Sequence, residues 1–372
     1  MKILHLSKFY PPFQGGMELF LYDLNEALHQ HTDLQSDVLC FNEHQTNETD
    51  TAQGYLVQRA ALTGVYSSMP ISVSYLTWLL RNHHHYDILH IHVPNPFANV
   101  ALLLSRFRGK VVVHWHCDVV KSAWMMALYR PFQSAMLRRA DAIIVTSPNY
   151  AAESVDLQPY SHKLQLVPLA LNTERMQAAN PQQVAALRAQ YPHQKIAFSL
   201  GRQVPYKGYQ YLIEAAALLP DDYVILIGGK GELYDAHRQL IVQQGLSHKV
   251  KMLGFVQDTD LATYYAACDV YVMSSITRAE AFGVVQLEAM YYHRPLVSTS
   301  IECSGVGWVN KNGETGCVVP PCNAPALAQA IITACTNPLY GTQARNRLDT
   351  VFSMPPLVAS LTALYGGLLE AK

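Results

Sequence analysis

The sequence predicts an α/β protein built from two doubly wound parallel-sheet halves. Three observations carry this. Short apolar, β-branched runs alternate with helix-period segments over roughly the first 170 residues. The alternation stops in a polar, Ala- and Gln-rich stretch at 172–194, then restarts at Lys195 with the same rhythm. Strands separated by helical crossovers lie parallel, and 372 residues exceed the usual size of one core.

The first half opens with an apolar strand at 2–7, broken by Tyr10-Pro-Pro-Phe-Gln-Gly15-Gly16. Leu19, Phe20, Leu24 and Leu28 then recur at helical spacing over 17–28. Further strands are expected at 37–41, 88–92, 110–116, 142–147 and 163–168, with helices at 72–82, 98–107, 123–139 and 149–155. The stretch 172–194 reads as a connecting helix. In the second half, strands at 195–200, 223–228, 250–253, 270–274 and 296–300 alternate with helices at 210–218, 234–245, 260–267, after 283, and at 324–336. The apolar helical segment 355–369 fits on either half. The expected organisation is 1–172, a linker at 173–194, 195–352, and a C-terminal helix at 353–372 that packs back on the first half. Ligands of such sheets bind beyond the carboxyl ends of the strands, so an interdomain cleft is expected.

Composition excludes several classes. Half the residues are hydrophobic, 15% are charged and the net charge is −1, which gives a nucleic-acid role no electrostatic support. The apolar runs are short and interrupted, so no transmembrane helix is expected. The N-terminus shows no signal-peptide pattern. Seven cysteines lack any Cys-x-x-Cys pair, which fits reduced thiols and a cytoplasmic protein. The sequon Asn47-Glu-Thr49 then carries no meaning.

Two stretches carry chemistry. Arg278-Ala-Glu-Ala-Phe-Gly-Val-Val-Gln-Leu-Glu288-Ala-Met sets Glu280 and Glu288 around Gly283. The segment after Gly283 is apolar on nearly every side and reads as a buried helix. Glu288 inside it needs a hydrogen-bonding partner, either a polar ligand or an internal Arg or Tyr. Gly201-Arg-Gln-Val-Pro-Tyr-Lys207-Gly208 follows the first strand of the second half. Its turn brings Arg202 and Lys207 together, either as two cations for a diphosphate or as a solvated basic loop. Gly15-Gly16 either lets a backbone loop approach phosphates closely or is a simple tight turn.

These motifs resemble the bacterial retaining glycosyltransferases of the GT-B fold, family four. Gly-Arg-x-x-x-x-Lys-Gly at 201–208 and the Glu280–Glu288 pair with Phe282-Gly283 are similar to that family's donor-site motifs. Residues 228–233 resemble its strand-end glycine turn, 250–256 (Val-Lys-Met-Leu-Gly-Phe-Val) its base-contacting segment and 313–320 its late turn, in the same order. The first half matches more loosely, through Gly15-Gly16, 90–96, His116 and 147–150. The resemblance implies that Arg202 and Lys207 hold the donor diphosphate and neutralise the leaving nucleotide. It implies that Glu288 accepts from the ribose, and that Glu280 touches the sugar with Phe282, Gly283 and Val284 beside it. Gly254 and Phe255 would lie near the base, Gly15 and Gly16 near the phosphates, and His116 beside the transferred sugar. Asp118, Lys121 and Tyr150 would lie toward the acceptor. The expected donor is GDP-mannose, with a UDP-hexose next, and the acceptor a glycan or lipid-diphosphate-linked glycan of surface polysaccharide assembly. The expected stereochemistry is retention by front-face attack, with no metal and no cofactor. An epimerase or phosphorylase of the same fold is the alternative reaction. An idle binding protein would have lost one of Arg202, Lys207, Glu280 and Glu288, and none is lost. A dehydrogenase would need Gly-x-Gly-x-x-Gly, which Gly15-Gly16 lacks.

Other features have two readings. His114 and His116 share one strand face, yet no third metal ligand follows at a suitable spacing. His90 and His92 alternate likewise and read as core or cleft-wall residues, and His83–His85 as a solvent-exposed turn. Asp258-Thr-Asp260 matches a metal-binding Asp-x-Asp, but an N-cap for a helix starting near Leu261 explains it better. The segment 121–139 mixes Trp124, Met125, Met126, Leu128, Tyr129 and Phe132 with Lys121, Arg130, Arg138 and Arg139. It is either a core helix kinked at Pro131 or a surface that lies on an anionic membrane.

Overall fold

The structure, a computed structural model, describes residues 1–13, 15–51, 54–66, 69–118 and 123–370. It divides into two compact units. One comprises Met1–Thr146, Ser154–Leu169 and Met354–Lys372, the other Ser147–Glu153 and Ala170–Ser353. Residues 147–153, drawn with the first half from sequence, belong to the second unit, where the Glu153 carboxylate accepts from the Cys303 N–H.

The first unit contains strands β1 (Lys2–Leu6), β2 (Gln35–Phe41), β3 (Glu48–Asp50), β4 (Val57–Ala60), β5 (Gly64–Tyr66), β6 (Met69–Ile71), β7 (Ile88–Val93), β8 (Lys110–Trp115), β9 (Ala142–Val145) and β10 (Leu164–Leu166). Eight form one sheet in the order β10-β9-β8-β7-β1-β2-β4-β3, while β5 and β6 pair separately. All neighbours in the large sheet run parallel except β3 against β4. This antiparallel edge was not expected: Glu48-Thr-Asp carries no apolar alternation and is exposed or half-buried. The strand order reverses between β1 and β7, whose first strand leads into the helix Gly16–His31. Local chemistry sets the helix starts. The helix Pro96–Ser105 opens where the Asn95 side chain accepts from the Ala98 N–H and Pro96 occupies the first turn.

The second unit holds β11 (Lys195–Leu200), β12 (Tyr223–Gly228), β13 (Val250–Gly254), β14 (Val270–Val272), β15 (Leu296–Thr299) and β16 (Gly316–Val319). They form a wholly parallel sheet in the order β13-β12-β11-β14-β15-β16. Ile225, Ile227, Val270, Val272 and Val297 pack against Leu212 and Ile213 of the helix Tyr209–Ala216 and Leu327 and Ile331 of Ala324–Thr336, all buried. The expected connecting helix over 172–194 is shorter. A single turn at Thr173–Arg175 is followed by the helix Pro181–Ala189, started by the Asn180 side chain accepting from Gln182 and Gln183 N–H groups. Proline at 181 disfavours helical backbone at Asn180 and so fixes the start.

Candidate active site

A wholly parallel sheet puts every strand's carboxyl end on one edge, and its strand order reverses between β11 and β14. Such a switch point opens a crevice beyond the carboxyl ends. Both donor motifs grow from it: Gly201–Gly208 follows β11, and the Glu280 loop follows β14. Gly208 allows the join. Its φ is +63°, and a Cβ there would meet the Ser274 carbonyl oxygen at 2.3 Å. Ser274 Oγ in turn donates to the Lys207 carbonyl at 2.9 Å, tying the two loops together.

Lys207 is the centre of this region. Its Nζ donates to Glu280 Oε2 at 2.5 Å, and both side chains are only 12% and 13% exposed. Ser275 Oγ donates to the same carboxylate oxygen at 3.1 Å, and Ser304 Oγ donates to the Glu280 carbonyl at 2.5 Å. Lys207 Nζ also sits 5.6 Å from the Tyr206 ring centroid, and Arg202, which is exposed, donates to the Tyr206 hydroxyl at 3.5 Å. The expected pair of cations therefore flanks one tyrosine, one of them engaged with a carboxylate and the other facing solvent.

Gly283 turns the chain at φ +78°, where a Cβ would crowd Met273 Sδ and Gln286 Nε2 at 2.8 Å each. Phe282 is buried and Val284 half-buried before the helix Val285–Tyr291. Glu288 lies in that helix, and the Tyr265 hydroxyl donates to its Oε2 at 2.7 Å. Tyr292 stacks on Tyr265, centroids 5.6 Å apart. Burial pushes the Glu288 carboxyl up to about 7, although the Tyr265 hydrogen bond pulls the other way. Glu288 thus has an internal tyrosine partner, the second of the two readings offered for it, and no other side-chain donor reaches its carboxylate among the described residues. Gly254 ends β13 in a left-handed conformation, φ +71°, and Phe255 beyond it is 63% exposed. The helix Asp258–Ala267 begins at Asp258 itself with no side-chain cap bond. The capping expected of Asp258-Thr-Asp260 is therefore wrong; the carboxylates sit in the first turn, where the helix dipole favours negative charge.

In the first unit, Gly15 precedes the helix Gly16–His31, and its carbonyl accepts from the Leu19 N–H. A Cβ at Gly15 would meet the Glu18 carboxylate at 2.1 Å, whereas one at Gly16 meets nothing within 4 Å. Glu18 is buried, and burial raises its carboxyl pKa. Asp118 accepts from the Trp115 indole N–H at 3.1 Å. Tyr150 is buried in the second unit, its N–H bonded to Ser147 Oγ. Lys121 lies outside the described residues.

His116 immediately follows β8 and is buried. It closes a set of five histidines on one sheet face: His5 on β1 opposes His90 on β7, and His92 opposes His114 on β8. All five are buried. His5 Nδ1 is 3.0 Å from His92 Nε2, His92 Nδ1 is 2.9 Å from His116 Nε2, and His90 Nδ1 is 2.6 Å from the Tyr365 hydroxyl. Burial lowers all five, His5 and His116 to about 3, and the neighbouring imidazoles push His90, His92 and His114 further the same way. The missing third ligand beside His114 and His116 is thus present after all. It comes from the adjacent strand, where no sequence spacing reveals it.

A family model described as "Glycosyltransferase Family 4" matches residues 14–175, and one described as "Glycosyl transferases group 1" matches 186–350. The O-antigen chain mannosyltransferase C of Escherichia coli is 32% identical over 380 residues, spanning 100% of both chains. The chain belongs to the family-four glycosyltransferases. The D-rhamnosyltransferase WbpZ of Pseudomonas aeruginosa is 29% identical over 332 residues, 89% of this chain and 86% of that one. Among solved structures, Anabaena HepE in complex with UDP superposes with a TM-score of 0.79 at 20% identity, over 99% of this chain and 100% of that one. The sucrose-phosphate synthase of Thermosynechococcus elongatus gives 0.79 at 22%, over 100% of each. This glycosyltransferase has the GT-B fold.

Proposed function

We propose that this glycosyltransferase moves a mannosyl residue from GDP-mannose to a lipid-linked glycan during surface polysaccharide assembly. The observation that carries the reading is the Lys207–Glu280 ion pair, with Arg202 and Lys207 both against Tyr206, in the loops that follow β11 and β14. Mannose is supported by the full-length likeness to an O-antigen mannosyltransferase. A UDP-hexose is the second donor reading, favoured by the UDP bound in HepE.

Arg202 and Lys207 would hold the diphosphate, and Lys207 would neutralise the charge that develops as the nucleotide leaves. Glu288 would accept from the ribose through its uncommitted oxygen, with Tyr265 as its fixed donor. Glu280 would orient the sugar, held by Ser275 and Lys207, with Phe282, Gly283 and Val284 beside it; Gly254 and Phe255 would flank the base, and Gly15 and Gly16 the phosphates. The acceptor oxygen would bond to the anomeric carbon on the face from which the C–O bond to phosphate breaks, and the leaving phosphate would take the acceptor's proton, so configuration is retained. His116 would face the sugar as a neutral imidazole, with Asp118, Lys121 and Tyr150 toward the acceptor. No metal is required for transfer, because the two cations supply the positive charge.

No helix among the described residues is long and apolar enough to cross a membrane. On the helix Ala123–Arg139, Gln133, Met136 and Leu137 are buried, whereas Trp124, Leu128 and Phe132 form a stripe four residues apart that is 60%, 69% and 42% exposed. That stripe, with the exposed Arg130 and Arg138 on the same helix, would seat the protein peripherally on the cytoplasmic face of an anionic membrane. A thermal-shift screen with GDP, UDP, ADP and dTDP tests the donor. GDP alone raising the midpoint supports GDP-mannose, UDP alone replaces it, and no shift from any nucleotide overturns the donor assignment.

A further inference from the structure

The proposed transfer uses only one of the five buried histidines. His5, His90 and His92 each offer one ring nitrogen, and the three nitrogens lie within 4.8 Å of one another. We propose that His5, His90 and His92 bind one divalent transition-metal ion of the Zn2+ class, linking β1 to β7 where the strand order of the first sheet reverses.

Imidazole nitrogen is the donor that Zn2+, Co2+ and Ni2+ favour, and it must be neutral to ligate. Burial supplies that condition here. The groups acting electrostatically on His90 and His92 are other imidazoles, so no ion pair with a carboxylate accounts for the cluster. His5 Nε2 and His90 Nε2 are buried with no hydrogen-bond partner among the described residues. A buried nitrogen without a partner is costly, and ligation would offset that cost.

The outer contacts decide between two overlapping triads. A ligating histidine ordinarily bonds a second partner through its other nitrogen, which fixes the tautomer. His90 Nδ1 has the Tyr365 hydroxyl at 2.6 Å, and His92 Nδ1 has His116 Nε2 at 2.9 Å. The other triad is His92, His114 and His116. There both nitrogens of His114 and Nδ1 of His116 are unpartnered among the described residues. Both triads need His92, and two adjacent dications would repel, so one ion is assigned, to the first triad. Ligation through His92 Nε2 replaces its 3.0 Å hydrogen bond with His5 Nδ1 and leaves the proton on His92 Nδ1, which then donates to His116 Nε2 and sets the proton of His116 on Nδ1. The ion therefore staples the sheet and fixes the tautomer of His116.

The ligands are at most 6% exposed, so the ion enters as the chain folds. The test is to produce the protein without a histidine tag in cobalt-supplemented minimal medium, dialyse it against a chelator, and measure bound cobalt and visible d–d absorption. The expected result is one Co2+ per chain, retained through dialysis, with a melting midpoint about 5 °C above that of protein made without metal. His90→Gln and His92→Gln should lose the absorption. The triple variant His83→Ala, His84→Ala, His85→Ala, which removes the exposed histidines at 84 and 85, should keep it. Wild-type protein without bound cobalt overturns the proposal, and so does cobalt lost only in the triple variant. If neither glutamine variant folds, the wild-type stoichiometry together with the triple variant decides.

Discussion

The two units concentrate their polar chemistry in different places. In the second, Lys207, Glu280 and Glu288 sit in loops and a short helix at one sheet edge, in stretches continuous along the chain. In the first, five histidines from β1, β7 and the end of β8 meet across the sheet. Loop chemistry is written in local order, whereas sheet chemistry depends on which strands become neighbours. The first kind suits a ligand that arrives and leaves; the second suits a group that stays.

The largest effect that separates the two regions is acid stability. The five histidines are held neutral in the folded state, His5 and His116 down to about 3, against an ordinary value of 6.5. Stability is therefore fully present above about pH 6.5 and is lost as pH falls through the lowered folded-state values. Glu288 has the opposite sign: raised to about 7, its contribution is present below its ordinary 4.5 and is lost as pH rises through 7. Five groups outweigh one. Urea midpoints at pH 7.5 and 5.5 should fall together with pH, and equal midpoints would dissolve the contrast.

Next in size is Lys207→Ala, expected to lower kcat/KM by about 10²–10³ with the fold intact, since it removes the cation proposed to face the leaving diphosphate. Steady-state kinetics beside a melting curve separates this from unfolding. A smaller effect is the pH dependence of donor affinity. Glu288 loses its proton as pH rises through about 7, so nucleotide affinity should rise by up to about tenfold between pH 6 and pH 8. Glu288→Gln should abolish that rise, as titration calorimetry would show. The smallest is Trp124→Ser, which should weaken pelleting with anionic vesicles a few-fold without moving the melting midpoint. Unchanged pelleting would remove the membrane surface.

Much of the fold was legible because each strand and each helix announces its own period. The motif 201–208 was legible because a strand end, a turn and two cations are consecutive. Four things were not. The β3–β4 edge carries no period. The Lys207–Glu280 bond joins residues 73 positions apart and exists only because β14 lies beside β11. The histidines alternate visibly within each strand, yet His5, His90 and His114 become one cluster only through the order β8-β7-β1. Tyr265, the partner of Glu288, stands in Thr-Tyr-Tyr-Ala with no signal to mark it.

The central claim is that Glu280 serves the sugar and Glu288 the nucleotide. The direct test is the pair of ratios, turnover and GDP affinity, in Glu280→Ala and Glu288→Ala. Glu280→Ala should lose turnover about 100-fold or more with GDP affinity within about threefold. Glu288→Ala should weaken GDP about tenfold or more and retain most of its turnover at saturation. Equal losses of both quantities in both variants would contradict the division.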